Sequence, residues 1–134
     1  MTPSSAGVVV AKLIQYLETA SAPDGLFAPD LFVDLSIPQW RFQAAGLEDA
    51  VALRACGHPW PGQVRVERVE TTANGFTIEF EERWDNEDQR WYCREMIRAD
   101  VVGDTITEMS VYCTGDWDEA QQKAHGAAAQ LIRP

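Results

Sequence analysis

The sequence predicts an α+β domain in which a long antiparallel sheet curves strongly around a pocket that holds several carboxylates. Three observations lead there. From residue 63 onward, apolar residues recur with a period of two through successive segments separated by turn signals, the pattern of hairpin-connected strands. Before that point, two segments carry a helical period instead. The inward face of the strands then mixes aromatic and aliphatic side chains with glutamates, which a purely structural core avoids.

The elements follow in order. Thr2-Pro3 supplies an N-cap and a first helical residue, and Val10, Leu13, Ile14 and Leu17 fall at helical spacing, so a helix is expected over 5–20. Ala22-Pro23-Asp24-Gly25 ends it. Residues 31–37 read as a strand stopped by Pro38, followed by a loop of large side chains that includes Trp40, Arg41 and Phe42. Leu47, Ala50, Val51 and Arg54 mark a short helix that stops at Gly57, ahead of Pro59 and Pro61. Val64 and Val66 alternate out of phase with Val69 and Thr71, which predicts a bulge near Glu67-Arg68. Asn74-Gly75 is a hairpin signal. Strands over 76–84, 90–102 and 105–114 follow, separated by a polar loop at 85–89 and a turn at Gly103-Asp104. A last helix begins at Asp116, with Glu119 as its capping-box partner. No internal repeat or linker interrupts the chain, so 1–134 is expected to be one domain.

Composition narrows the function. A domain of 134 residues buries roughly 68–70 % of its unfolded surface, and 46 % hydrophobic residues are enough to fill that interior. No apolar run reaches the roughly 18–20 residues of a membrane span, and no basic segment precedes Val8-Val9-Val10, so a cytoplasmic protein is expected. The net charge of −10 repels phosphate backbones and anionic lipids, which argues against nucleic-acid and membrane partners. Cys56, Cys93 and Cys113 have neither metal-site nor disulfide-framework spacing and read as reduced thiols, with no metal expected.

Laying the last three strands side by side from their turns gives two faces. Phe76, Ile78, Phe80, Glu82 and Trp84 fall on one, beside Trp91, Cys93, Glu95 and Ile97, and then Ile106, Glu108, Ser110 and Tyr112. This face is expected to be the core side. Glu82, Glu95 and Glu108 would then stand among apolar neighbours, where burial and mutual repulsion raise a carboxyl pKa toward the range that proton transfer needs. Tyr112 beside them would donate a hydrogen bond to a developing oxyanion. The competing readings are rim ion pairs for Glu82 and Glu108, a core phenol for Tyr112 and an inert core thiol for Cys93. Trp40 and Arg41 lie in a loop of the kind that builds pocket mouths, and with Trp84, Trp91 and Cys93 they are the substrate-binding candidates. Asp34, one residue out of phase with Leu35, is expected outside, and His58 in a solvated loop. The opposite face pairs charges such as Glu81 with Arg94 across strands, and its apolar island of Met96, Met109 and Val111 suits a homodimer contact.

The order of elements resembles the cystatin-like cone of the nuclear transport factor 2-like superfamily, nearest to SnoaL-like polyketide cyclases and ketosteroid isomerase relatives. The resemblance is carried by Leu26-Phe27-Ala28-Pro29-Asp30, by Gly46-Leu47-Glu48-Asp49-Ala50, and by residues 101–108 at the last hairpin. It implies a conical pocket closed by N-terminal helices, frequent homodimers through the outer sheet face, and no obligatory cofactor. It also implies acid–base work on apolar cyclic or polyketide-like substrates. Where the isomerases carry a general-base aspartate this chain has Leu35, and the His/Asp pair of the aromatic cyclases is replaced by Glu95 and Glu108.

The leading expectation is therefore a cofactor-free cyclase, isomerase or dehydratase with a small-molecule substrate. In it Glu95 is the principal acid/base, Glu82 or Glu108 assists, and Tyr112 is the donor. A non-catalytic binding or assembly module of the same shape is the alternative, and it predicts that every pocket carboxylate is neutralised by a basic partner. An epoxide hydrolase comes third, because its aspartate–arginine–aspartate relay would need an inward arginine, whereas Arg94 and Arg98 fall on the outer face.

Overall fold

Thr2 caps the first helix by accepting the Ser5 N–H on its hydroxyl oxygen at 3.2 Å, and α1 runs Pro3–Thr19 in the computed structural model, which describes all 134 residues. The buried stripe of α1 is Ala6, Val9, Val10, Leu13, Tyr16 and Leu17, three to four residues apart, so one side of the helix meets the sheet. Then come β1 (Phe27–Ile37), β2 (Trp40–Ala45), α2 (Leu47–Gly57), β3 (Gln63–Thr71), β4 (Gly75–Asn86), β5 (Gln89–Val102), β6 (Thr105–Cys113) and α3 (Glu119–Ala128). One open six-stranded sheet has the order β2-β1-β6-β5-β4-β3. Its concave side, together with α1 and β1, forms a single apolar core around Leu13, Leu26, Phe76, Ile78, Phe80 and Ile97. No helix is long and apolar enough to cross a membrane.

Three features depart from expectation. The stretch after Pro38 is a strand, not a loop: β2 folds back on β1 with Leu35 opposite Phe42 and Ile37 opposite Trp40. The sheet is mixed, because β1 runs parallel to β6 while every other neighbouring pair is antiparallel. The last helix is capped by Asp118, which accepts the Gln121 N–H at 2.8 Å. Glu119 does not reach back as a capping-box partner but accepts the Arg90 N–H at 2.7 Å.

The bulge near Glu67 is present, between Val66 and Arg68. The β4–β5 register also falls where the turn signals put it, with Glu82 opposite Cys93 and Phe80 opposite Glu95. The polar loop is tighter than expected. Asn86 pairs with Gln89, and the two turn residues Glu87 and Asp88 both take positive φ, 55° and 61°, the hairpin geometry that follows the strand twist. Gly75 opens β4 where a Cβ would stand 2.0 Å from the Ala99 carbonyl oxygen, an approach that only glycine permits.

The β5–β6 pair carries a bulge that the sequence did not announce. Val101 faces Ile106, but Asp100 faces Glu108, so Thr107 is an extra residue in β6, its hydroxyl donating to the Asp100 carbonyl at 3.3 Å. One inserted residue inverts the facing of everything after it. Met109 and Val111 therefore point inward and are buried, while Glu108, Ser110 and Tyr112 point outward, Tyr112 being 61 % exposed. This corrects two expectations together. Glu108 and Tyr112 lie outside the pocket, and the outer apolar island keeps only Met96 of its three proposed members.

Candidate functional site

Between the concave sheet face, α1 and α2 lies a cavity of about 300 Å³. Its walls are mostly aliphatic, among them Leu13, Leu17, Val33, Leu35, Ile97 and Met109. Polar groups gather in one part of it: Tyr16, Arg54, His58, Glu95, Cys113 and Asp116. Phe42, Cys56 and Asp116 are both wall and exposed surface, so the cavity opens beside them.

Behind the wall stands a buried ion pair. Arg54, on α2, donates from Nη2 to Glu82 Oε1 at 2.7 Å and to the Leu17 carbonyl at 3.1 Å, and from Nη1 to Glu82 Oε2 at 3.4 Å. Its guanidinium also lies 5.7 Å from the Tyr16 ring centre, within cation–π range. Burial works to lower the Arg54 pKa, but the Glu82 carboxylate outweighs it and holds the pKa above the usual arginine value. Arg54 Nη2 is 3.3 Å from His58 Nδ1. A guanidinium only donates, so Nδ1 must accept, and the ring proton of His58 sits on Nε2. Burial lowers the His58 pKa, in keeping with this neutral tautomer.

Glu95 differs from every paired carboxylate. It lines the cavity from mid-β5, and no lysine, arginine or histidine forms a salt bridge with it. Burial raises its pKa well above the usual glutamate value, and the Glu82 charge raises it further. Arg54 offsets only part of this. Neighbouring groups respond alike: burial raises the pKa of Tyr16, and partial desolvation at the cavity mouth, followed by the Glu82 charge, raises that of Asp116.

Cys93 and Cys113 complete the polar group. The Cys93 thiol donates to Glu95 Oε1 at 3.5 Å, and Cys113 stands opposite Glu95 on the next strand. The two sulfurs and a Glu95 oxygen lie within 4.8 Å of one another, the one such set in the chain. Three donors fall short of the four of a closed structural zinc site, and the Cys93–Glu95 hydrogen bond already links two of them.

Not all the sequence candidates meet here. Glu82 and Glu95 are in place, Glu82 just behind the wall. Glu108 is bound to Arg98 on the outer face at 2.9 Å. Trp84 is buried but misses the cavity, standing edge-on to His58 at 4.1 Å and stacked on Trp91 at 6.4 Å. Trp40 shares the face of Phe42 but is 65 % exposed, and Phe42 takes the place on the wall expected of it. Arg41 points away and binds Asp34 outside, where Asp34 was expected. His58 is not a solvated loop residue, because Trp84 and Arg54 enclose it.

The sequence pattern does not single out Tyr16, Arg54, His58 or Asp116 as site residues, though two of them leave a signal. Arg54 completes the stripe Leu47, Ala50, Val51, Arg54, so an arginine occupies the apolar side of a short helix. Tyr16 lies on the buried stripe of α1 between Leu13 and Leu17.

No family model and no curated protein matches this chain. Solved structures do, and they show the fold to be that of the nuclear transport factor 2-like proteins. An NTF2-like protein from Anabaena variabilis is 18 % identical with a TM-score of 0.69, covering 84 % of this chain and 89 % of its own. A protein of ketosteroid isomerase-like fold from Catenulispora acidiphila, solved with trimethylamine, is 15 % identical with a TM-score of 0.65 over 92 % and 95 % of the two chains. A protein described as a SnoaL-like polyketide cyclase, from Jannaschia, is 14 % identical with a TM-score of 0.63 over 98 % of both.

Proposed function

We propose that the cavity is the active site of a cofactor-free general acid–base enzyme, a cyclase, isomerase or dehydratase of apolar cyclic or polyketide-like carbonyl compounds. The observation that carries this is Glu95: an uncompensated carboxyl in an apolar cavity, its proton held more tightly than usual. Such a group is matched to taking a proton from carbon beside a carbonyl and returning it elsewhere. Burial keeps the Tyr16 phenol protonated, so it serves as a donor to the developing oxyanion, the role expected of Tyr112. Glu82 acts through its charge: fixed by Arg54, it keeps the Glu95 proton affinity high without itself touching substrate.

A cavity of about 300 Å³ is at the small end of ligand pockets, roughly 300–1,000 Å³, which limits the substrate to a compact molecule with little polar decoration. Fold neighbours named for cyclase and isomerase likeness support the reaction class. An epoxide hydrolase would have to use Arg54, the arginine of the cavity, and its partner is a glutamate. Three free cysteines suit the cytoplasm. A homodimer through the outer sheet face would rest on Met96 and Tyr112, 41 % and 61 % exposed, and sedimentation velocity would reveal it.

The test needs no known substrate. Small cyclic ketones are incubated with the protein in deuterated buffer, and exchange of their α-protons is followed by NMR. Exchange that Glu95→Gln reduces about 100-fold or more supports the assignment. Exchange that persists in Glu95→Gln contradicts it, and no exchange with any ketone bound by the protein favours the binding module.

A further inference from the structure

The two thiols beside Glu95 are not equivalent. Cys93 is 1 % exposed, and its S–H donates to Glu95 Oε1 at 3.5 Å; the adjacent Cys113 sulfur, with burial, pushes the Cys93 thiol pKa up. Cys113 lies on the cavity wall, and its sulfur accepts the Gly115 N–H at 3.4 Å. The Cys93 thiol beside it lowers its pKa, with burial opposing and the Gly115 N–H assisting. Cys93 therefore keeps its proton, and Cys113 is the thiol that faces the ligand space. A sulfur that accepts a backbone N–H, stands opposite a carboxyl and opens onto an apolar cavity has the surroundings of a nucleophile, not of a core thiol.

We propose that Cys113 is a covalent site for α,β-unsaturated carbonyl compounds, which the cavity binds with the reactive carbon beside the sulfur and Glu95 within proton-transfer reach. This rests on the reading of Glu95 as the acid–base group of the cavity. Sulfur forms a bond to the β-carbon, the carbon–carbon π bond breaks, and its electron pair moves to the carbonyl oxygen as an enolate. The Glu95 carboxylate takes the Cys113 thiol proton as the sulfur–carbon bond forms and then delivers that proton to the α-carbon, returning to carboxylate. Thiol and enone become one thioether, with no oxidant or reductant needed. Glu95 stands directly opposite Cys113 in the strand pairing, so donor and nucleophile address the same bound molecule. Val111, Ile97 and Met109 offer its carbon skeleton an apolar bed.

Three cysteines in different settings make the test internal to one protein. The protein is treated with 2-cyclohexen-1-one or, separately, with the polar reagent iodoacetamide, and adducts at Cys56, Cys93 and Cys113 are followed by peptide mass spectrometry. Iodoacetamide should label exposed Cys56 first. Cyclohexenone should invert this and label Cys113 at least about tenfold faster than Cys56, a small part of what oriented proximity supplies. Glu95→Gln should slow the Cys113 adduct while leaving the iodoacetamide order unchanged, and Cys113→Ser should remove that adduct alone. Cyclohexenone labelling of Cys56 as fast as Cys113, or a Cys113 rate untouched by Glu95→Gln, would overturn the proposal. Glu95-dependent proton exchange without a Cys113 adduct would sink this inference while leaving the acid–base reading standing. Absence of exchange by the intact protein would count against that reading instead.

Discussion

The two faces of the sheet hold the same kinds of charged residue under opposite conditions. On the outer face, carboxylates have arginines: Glu81 binds Arg65, Glu67 binds Arg94, and Arg98 spans Asp100 at 2.7 Å and Glu108 at 2.9 Å. Arg94 and Arg98 are 51 % and 42 % exposed, so water screens their pairs and each contributes little, while Glu81, itself buried, is neutralised by Arg65 at the surface. On the inner face a single arginine serves two glutamates. Arg54 is bound to Glu82, and Glu95 is left with a raised proton affinity. Placement, not residue type, separates a solvated ion pair from a reactive acid.

The largest effect is expected where charge is uncompensated. Glu95→Gln should cut ketone α-proton exchange by about 10²–10⁴-fold, the usual share of a positioned acid–base group. Because Glu95 acts as base in the first step, exchange by the intact protein should rise with pH and level off above its pKa, with a midpoint above the usual glutamate value near 4.3. A midpoint at or below that value would break the contrast between the faces.

Next in size is the buried pair. Arg54→Met strands the Glu82 carboxylate in the interior and should cost about 3–5 kcal/mol in urea unfolding. The double variant Arg54→Met/Glu82→Met should recover much of that loss, since an uncompensated buried charge costs more than an apolar replacement of the pair.

A smaller effect is linked to pH. The folded-state pKa of Glu95 is raised, so its stabilising contribution is complete below the unfolded value and is lost as pH rises through the folded one. Glu95→Gln should therefore gain stability relative to the intact protein as pH climbs past the ordinary glutamate range, by urea titration at several pH values. The smallest effect belongs to the outer face: Arg98→Gln should shift stability by no more than about 1 kcal/mol and leave proton exchange unchanged.

Periodicity and turn chemistry were enough to place Glu82 and Glu95. The strict alternation of β4 and a turn centred between residues 87 and 88 put Glu82 across from Cys93, and both glutamates inward. The same logic failed one strand later, because Thr107 carries no bulge signal: no glycine marks it, and Ile106 and Met109 are both apolar. That one residue sent Glu108 and Tyr112 outside and brought Met109, Val111 and Cys113 in. Strand β2 was hidden by its exposure, since an edge strand open to solvent has no need of clean alternation. Arg54 and Tyr16 were legible as members of buried helical stripes, but Arg54 finds its distant partners on β4 and α1, and Tyr16 finds Arg54, and spacing within one helix cannot reveal a contact across the core.

The most direct measurement is the titration of Glu95 itself, by carbon-13 NMR of the glutamate side-chain carboxyls, with Glu95→Gln used to assign its signal. A resonance that titrates well above the ordinary glutamate range and is missing from the variant is the expected result. A Glu95 carboxyl that ionises at or below the ordinary value near 4.3 would contradict the account.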